Sequence, residues 1–277
     1  MLPEHLKVAA EDLGKGTPVK VRVLGDMLSL GADLAEALRA QIAAANREGR
    51  GATFIVPVGP VDHYPILARM INEQKIPCRD VVFIGMDEYL TDEDAWLPVD
   101  HPLSFRGYLQ RTFYDLLDPA LVPPPEQRVF PDPRDVSAVP RLIAARGGVD
   151  ACYGGIGITG HIAFNEPPEE PMTIEAFAAL STRVLTLTRE TRTINSVTVG
   201  GEIGIIPRRA ITVGMKEILG ARQLRLYCNR PWQSAVARRV LHGPITPTCP
   251  ASLMRTHPDA VLTVADYVAA PPNIKLR

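Results

Sequence analysis

In "VKVRVLG" (19–25) apolar residues fall at every second position, the period of a strand with one face on a core. Ser29 then precedes "LGADLAEALRAQIAAANREG", an Ala- and Leu-rich amphipathic stretch that ends at Gly49, which predicts a helix capped at Ser29. The alternation repeats along the chain. "ATFIVPVG" (52–59) leads into "YPILARMINEQ", "DVVFIGM" (80–86) into a loop and then "SFRGYLQRTFYDLL" (104–117), and "ACYGGIG" (151–157) into a glycine-rich loop. Further strands are expected at "RVLTL" (183–187), "AITVG" (210–214), "QLRLYCN" (223–229) and "AVLTVA" (260–265), with helical patterns "KEILGA" and "SAVARRVL" between some of them. Strand and helix in regular alternation predict a three-layer α/β fold, a mainly parallel sheet with helices on both faces. The Pro-rich "LVPPPEQRVFPDP" (121–133) is expected to be a surface connection.

Composition narrows the class. A length of 277 residues suits one large domain spanning 1–277. With 30 basic and 31 acidic residues, bulk charge recommends neither nucleic acid nor another polyanion as partner. Cys78, Cys152, Cys228 and Cys249 lie far apart without a CxxC pair, so neither a zinc knuckle nor a disulfide framework is expected, and no metal. The opening "MLPEHLKVAAEDLGKG" is charged throughout, and no segment approaches the roughly 20 apolar residues that span a bilayer. A soluble cytoplasmic protein without a membrane partner is expected.

In parallel sheets, sites form beyond the carboxyl ends of the strands. Three loops should therefore share one rim: "PVGPVDHYP", "DEYLTDEDAW" and "ITGHIAFNEP". In the first, Gly59 stands before a helix, where backbone N–H groups can receive a phosphate or simply form a turn. The second begins with Asp87 and Glu88, adjacent carboxylates that point opposite ways if the segment is extended, so one faces the crevice. Spacing alone leaves Asp87 equally suited to capping the next helix. In the third, Gly154, Gly155, Gly157 and Gly160 allow a sharp turn or a close ligand ahead of His161. Histidine can move a proton at neutral pH, and Glu166 is placed to orient it.

Six blocks of the chain resemble the glucosamine-6-phosphate deaminase family: "FIGMDEYL" (83–90), "HPLSFRGYLQRTFYD" (101–115), "GGIGITGHIAFNEP" (154–167), "LTRETRTINS" (187–196), "AITVGMKEIL" (210–219) and "RTHPDAVL" (255–262). They stand in the family's order between about residue 50 and about residue 265. The resemblance implies a modified Rossmann-like fold, no cofactor, a sugar-phosphate substrate, and conversion of glucosamine 6-phosphate plus water to fructose 6-phosphate plus ammonia. It implies that Asp87 is the enolisation base, that His161 assists pyranose opening, that Glu166 works with it, and that Arg192 binds phosphate. Gly59, Glu88, Thr159 and Gly160 are the remaining expected substrate-binding positions. Family members differ in oligomeric state, so a homo-oligomer is open.

The chain also departs from the family pattern. Thr159-Gly160-His161 replaces Asp-Gly-His, removing a charge beside His161, and restoring it with Thr159→Asp is expected to speed opening of the closed sugar. Asp62 lies near the expected phosphate loop, and Gln233 stands where the family has a lysine, with Arg230 three residues earlier as a substitute. Two other readings fit these departures: an isomerase or lactonase-type hydrolase acting on another sugar with weakened phosphate recognition, and a non-catalytic sugar-phosphate sensor.

Overall fold

The computed structural model describes residues 2–59 and 62–275. In chain order the elements are β1 Lys20–Leu24, α1 Met27–Arg47, β2 Ala52–Val56, α2 Tyr64–Gln74, β3 Val81–Gly85, β4 Asp87–Leu90, α3 Phe105–Thr112, β5 Arg128–Val129, α4 Ala138–Ala145 and β6 Ala151–Gly155. There follow α5 Ile174–Ala178, β7 Arg183–Thr186, α6 Arg189–Ser196, β8 Arg209–Thr212, α7 Met215–Leu219, β9 Leu224–Cys228, α8 Gln233–His242, β10 Ala260–Ala265 and α9 Asp266–Ala269. Seven strands form one parallel sheet in the order β1-β10-β9-β6-β2-β3-β5. Every residue of β2 and β3 is buried, which requires cover on both faces of the sheet. The helix α1 supplies part of that cover through Leu30, Leu34, Leu38 and Ile42, a stripe at four-residue spacing.

The remaining strands form a second sheet that was not expected as such. β4, β8 and β7 pair antiparallel, so "DEYL", "RVLTL" and "AITVG" build a small sheet rather than a loop and two parallel strands. Only Met86 separates β3 from β4, and it is hydrogen bonded to both neighbours: its N–H donates to Val56 O and its carbonyl accepts from Val213 N–H. The small sheet has its own apolar cluster of Tyr89, Leu97, Phe164, Leu187, Ile206 and Ala210.

Two local expectations are corrected. The cap of α1 is Asp26, whose carboxylate accepts from Ser29 N–H at 2.7 Å; the helix begins two residues before Ser29. The segment 121–133 carries a 3-10 turn and the edge strand β5, where Pro-free Arg128 and Val129 can pair with β3.

Candidate active site

Four adjacent strands, β9, β6, β2 and β3, deliver their carboxyl ends to one cavity of about 530 Å³. The three loops expected to share a rim do so, and the segment after β9 joins them with Asn229, Arg230, Trp232 and Gln233. Gly59 faces this space: a Cβ built on it would meet nothing within 4 Å. Positions 60 and 61 of the same loop lie outside the described residues.

Asp87 lines the cavity at the point where the chain leaves the large sheet for the small one, and is 7% exposed. Burial, reinforced by the neighbouring Glu88 charge, pushes its carboxyl well above the ordinary carboxylate range. Glu88 points the other way, as alternation along β4 requires. Its carboxylate is fully buried and accepts from the N–H groups of Tyr89, Phe105 and Arg106, each at 2.9 Å, and from the Ser104 hydroxyl at 3.2 Å. Glu88 is therefore absent from the cavity wall and holds the N-terminus of α3, where unpaired N–H groups favour an anion.

His161 stands in the cavity wall with Glu166 behind it. Its Nδ1 lies 2.9 Å from Thr159 Oγ1, 3.1 Å from Glu166 Oε2 and 3.4 Å from Thr191 Oγ1. Glu166 also accepts from Thr159 at 2.8 Å and, on its other oxygen, from Thr188 at 3.2 Å. Burial raises the Glu166 carboxyl, but hydrogen bonds from His161, Thr191 and Thr159 and the His161 charge more than offset it, leaving it below its ordinary value. Two glycines are required here. A Cβ on Gly157 would overlap the His161 ring, and Gly160 has φ +90° in a tight approach to Cys249.

Besides Glu88, three more expected ligand residues lie elsewhere than the wall. Gly160 serves the turn, and Thr159 lines a separate cavity. Arg192 spends its guanidinium on backbone, donating from Nε to Ile206 O and from Nη2 to Ile203 O, both at 3.1 Å. Arg230 is the cation that reaches the wall, and its side chain has no hydrogen-bond partner among the described residues. Gln233 is buried and ties the rim together: it donates to Ile156 O at 2.8 Å and accepts from Arg230 N–H at 2.7 Å. Sequence reasoning missed Thr188 and Thr191 behind His161, although the helix-capping spacing of "TRET" marked the first; it also missed the wall residue Asn195, whose amide donates to Tyr89 Oη at 2.9 Å. Among the described residues no group of three His, Cys, Asp or Glu side chains converges as a metal site would.

A glucosamine-6-phosphate deaminase from Streptomyces avermitilis is 33% identical over 217 residues, covering 76% of this chain and 77% of its own length. This chain belongs to the glucosamine-6-phosphate deaminase family. A second relative of that name, from Cronobacter sakazakii, is 31% identical and covers 75% of each chain. A solved monomeric glucosamine-6-phosphate deaminase superposes with a TM-score of 0.77 at 25% identity, over 91% of this chain and 99% of its own. A 6-phosphogluconolactonase from Trypanosoma cruzi shares the fold at a TM-score of 0.63 and 15% identity, over 93% of this chain and 97% of its own. No family model matches the chain. As a member of the deaminase family the protein is an enzyme, and no described helix is long and apolar enough to cross a membrane.

Proposed function

We propose that this enzyme, working as one cytoplasmic domain, converts glucosamine 6-phosphate and water to fructose 6-phosphate and ammonia, or deaminates a closely similar amino-sugar phosphate. The observation that carries the reading is the meeting in one cavity wall of Asp87, a carboxyl with raised proton affinity, and His161, backed by Glu166. His161 opens the ring. Asp87 then removes the C2 proton of the open aldehyde while O1 takes a proton from the C2 ammonium group, and it returns the first proton to C1, which leaves a C2 iminium for water to hydrolyse to ketone and ammonia. Arg230 and Gly59 take the phosphate end, since Arg230 is the one permanent cation in the described wall.

One observation favours a second reading, an isomerase on a sugar without the 6-phosphate: the Arg192 guanidinium is already engaged by two carbonyls. Ammonia release from glucosamine 6-phosphate, with glucosamine beside it, separates the two. Strong preference for the phosphorylated sugar, abolished by Asp87→Asn, is expected; equal turnover of both sugars would replace the first reading by the second. Sedimentation of the purified enzyme decides between the monomer and a homo-oligomer.

A further inference from the structure

We propose that Thr159 is a positioning residue for ring opening, an uncharged hydrogen-bond relay that fixes the proton of His161 on Nδ1 and leaves Nε2 bare toward the substrate. The inference rests on the deaminase reading above. A threonine hydroxyl has one proton to give and two lone pairs. That proton goes to Glu166 Oε2 at 2.8 Å, because an ionised carboxylate can only accept. Toward His161 Nδ1, 2.9 Å away, Thr159 Oγ1 can then only accept, as can Glu166 Oε2 at 3.1 Å, so Nδ1 must be the protonated nitrogen and Thr159 is the nearer of the two acceptors that hold its proton. In the neutral ring the other nitrogen carries the free lone pair. His161 Nε2 has no hydrogen-bond partner among the described residues, and Gly157 leaves room for that edge of the ring.

Thr159 itself does not touch substrate. It lines a second cavity of about 420 Å³, with Thr188, Glu190, Arg239 and Thr248 among its other walls, and this cavity shares no lining residue with the first. Its contribution passes through the ring it holds. In the step so prepared, Nε2 takes the proton of the anomeric hydroxyl, the O1 electrons form C1=O1, the C1–O5 pair moves to O5, and the same proton is returned to O5. No proton is gained or lost overall.

The test combines Thr159→Val, which removes the hydroxyl and keeps the shape, with Thr159→Ser, which keeps the hydroxyl. On glucosamine 6-phosphate the valine variant should lose about tenfold to a hundredfold in kcat with little change in KM, and the serine variant should stay within a few-fold of the parent. Binding of the reduced open-chain alditol, 2-amino-2-deoxyglucitol 6-phosphate, should be the same for all three, since it has no ring to open. A valine variant within twofold of the parent in kcat overturns the relay, as does one that loses alditol binding in proportion to turnover. Nitrogen-15 spectra of the histidine rings in the free parent and serine proteins need no substrate: a protonated Nδ1 and bare Nε2 at His161 are expected, and the opposite tautomer overturns the proposal even if the valine variant fails to fold. If the parent shows that tautomer and the valine variant loses it, but the parent releases no ammonia from glucosamine 6-phosphate, the substrate reading fails while the hold of Thr159 on the His161 proton stands.

Discussion

At the scale of single residues, two carboxyls of the site are driven apart by their surroundings. Asp87 is held high by burial and by Glu88; Glu166 is held low by the donors around it, against its own burial. Asp87→Asn should lower turnover by about 10²-fold or more, the usual contribution of a placed proton-transfer group. The same substitution should stabilise the fold at neutral pH. The folded-state pKa of Asp87 lies above its unfolded value, so the stability it contributes is complete below about pH 4 and is lost as pH rises through the folded value. Urea midpoints of parent and variant should therefore converge near pH 4 and separate, in favour of Asn, toward pH 8. A constant difference across that range would mean that Asp87 does not ionise at a cost. Turnover should show the matching acid limb, above the ordinary carboxylate range, because the base must be ionised to work. The arginines give a second contrast: Arg230→Ala should raise KM for phosphorylated sugars by about tenfold or more through loss of a charge-assisted pair, and Arg192→Ala by less. A larger effect at Arg192 would show that its carbonyl contacts are exchanged for phosphate when substrate binds.

At the scale of elements, the neighbouring carboxylates of "MDEYL" divide their work because β4 is a strand. Alternation sends Asp87 to the cavity and Glu88 into the start of α3, which Glu88 holds through four donors with Arg106 Nε at 3.4 Å. Glu88→Ala leaves those donors buried and unpaired, and a loss of about 3–5 kcal/mol in denaturant unfolding is expected, as for other broken buried ion pairs. Recovery of most of that loss by Glu88→Gln would be consistent only with a neutral capping role, which the Arg106 contact argues against. Arg192 acts on an element too: it fastens the start of α6 to the turn at Ile203–Ile205 and to Ile206, beside the part of the wall formed by Ile194, Asn195, Val197 and Thr198.

At the scale of the molecule, two sheets with separate apolar clusters meet at Met86, and the cavity lies at that junction. Leu38 is fully buried in the large cluster and Leu187 belongs to the small one. Leu38→Ala should cost about 2–5 kcal/mol of global stability. Leu187→Ala should instead raise amide exchange in β4, β7 and β8 and reduce turnover, since Asp87 begins β4. Equal exchange changes in both sheets would show that they unfold as one cooperative unit.

What the sequence determined by itself is whatever depends on neighbours along the chain. The period-2 and period-3.6 patterns placed α2 and the strands β2, β3, β6, β7, β8, β9 and β10 close to their observed bounds but missed β4 and β5, and the glycine spacing ahead of His161 marked a sharp turn. Family motifs added Asp87, His161 and Glu166. Only the tertiary structure decided which sheet each strand joined, because a short apolar run reads alike in a parallel and an antiparallel partner. It decided the work of Glu88, Arg192 and Thr159 for the same reason: a carboxylate, a guanidinium or a hydroxyl acts on whatever lies within about 3 Å of it, and those partners, the N–H groups of α3, the carbonyls of Ile203 and Ile206, and the His161–Glu166 pair, are brought there by folding rather than by spacing alone.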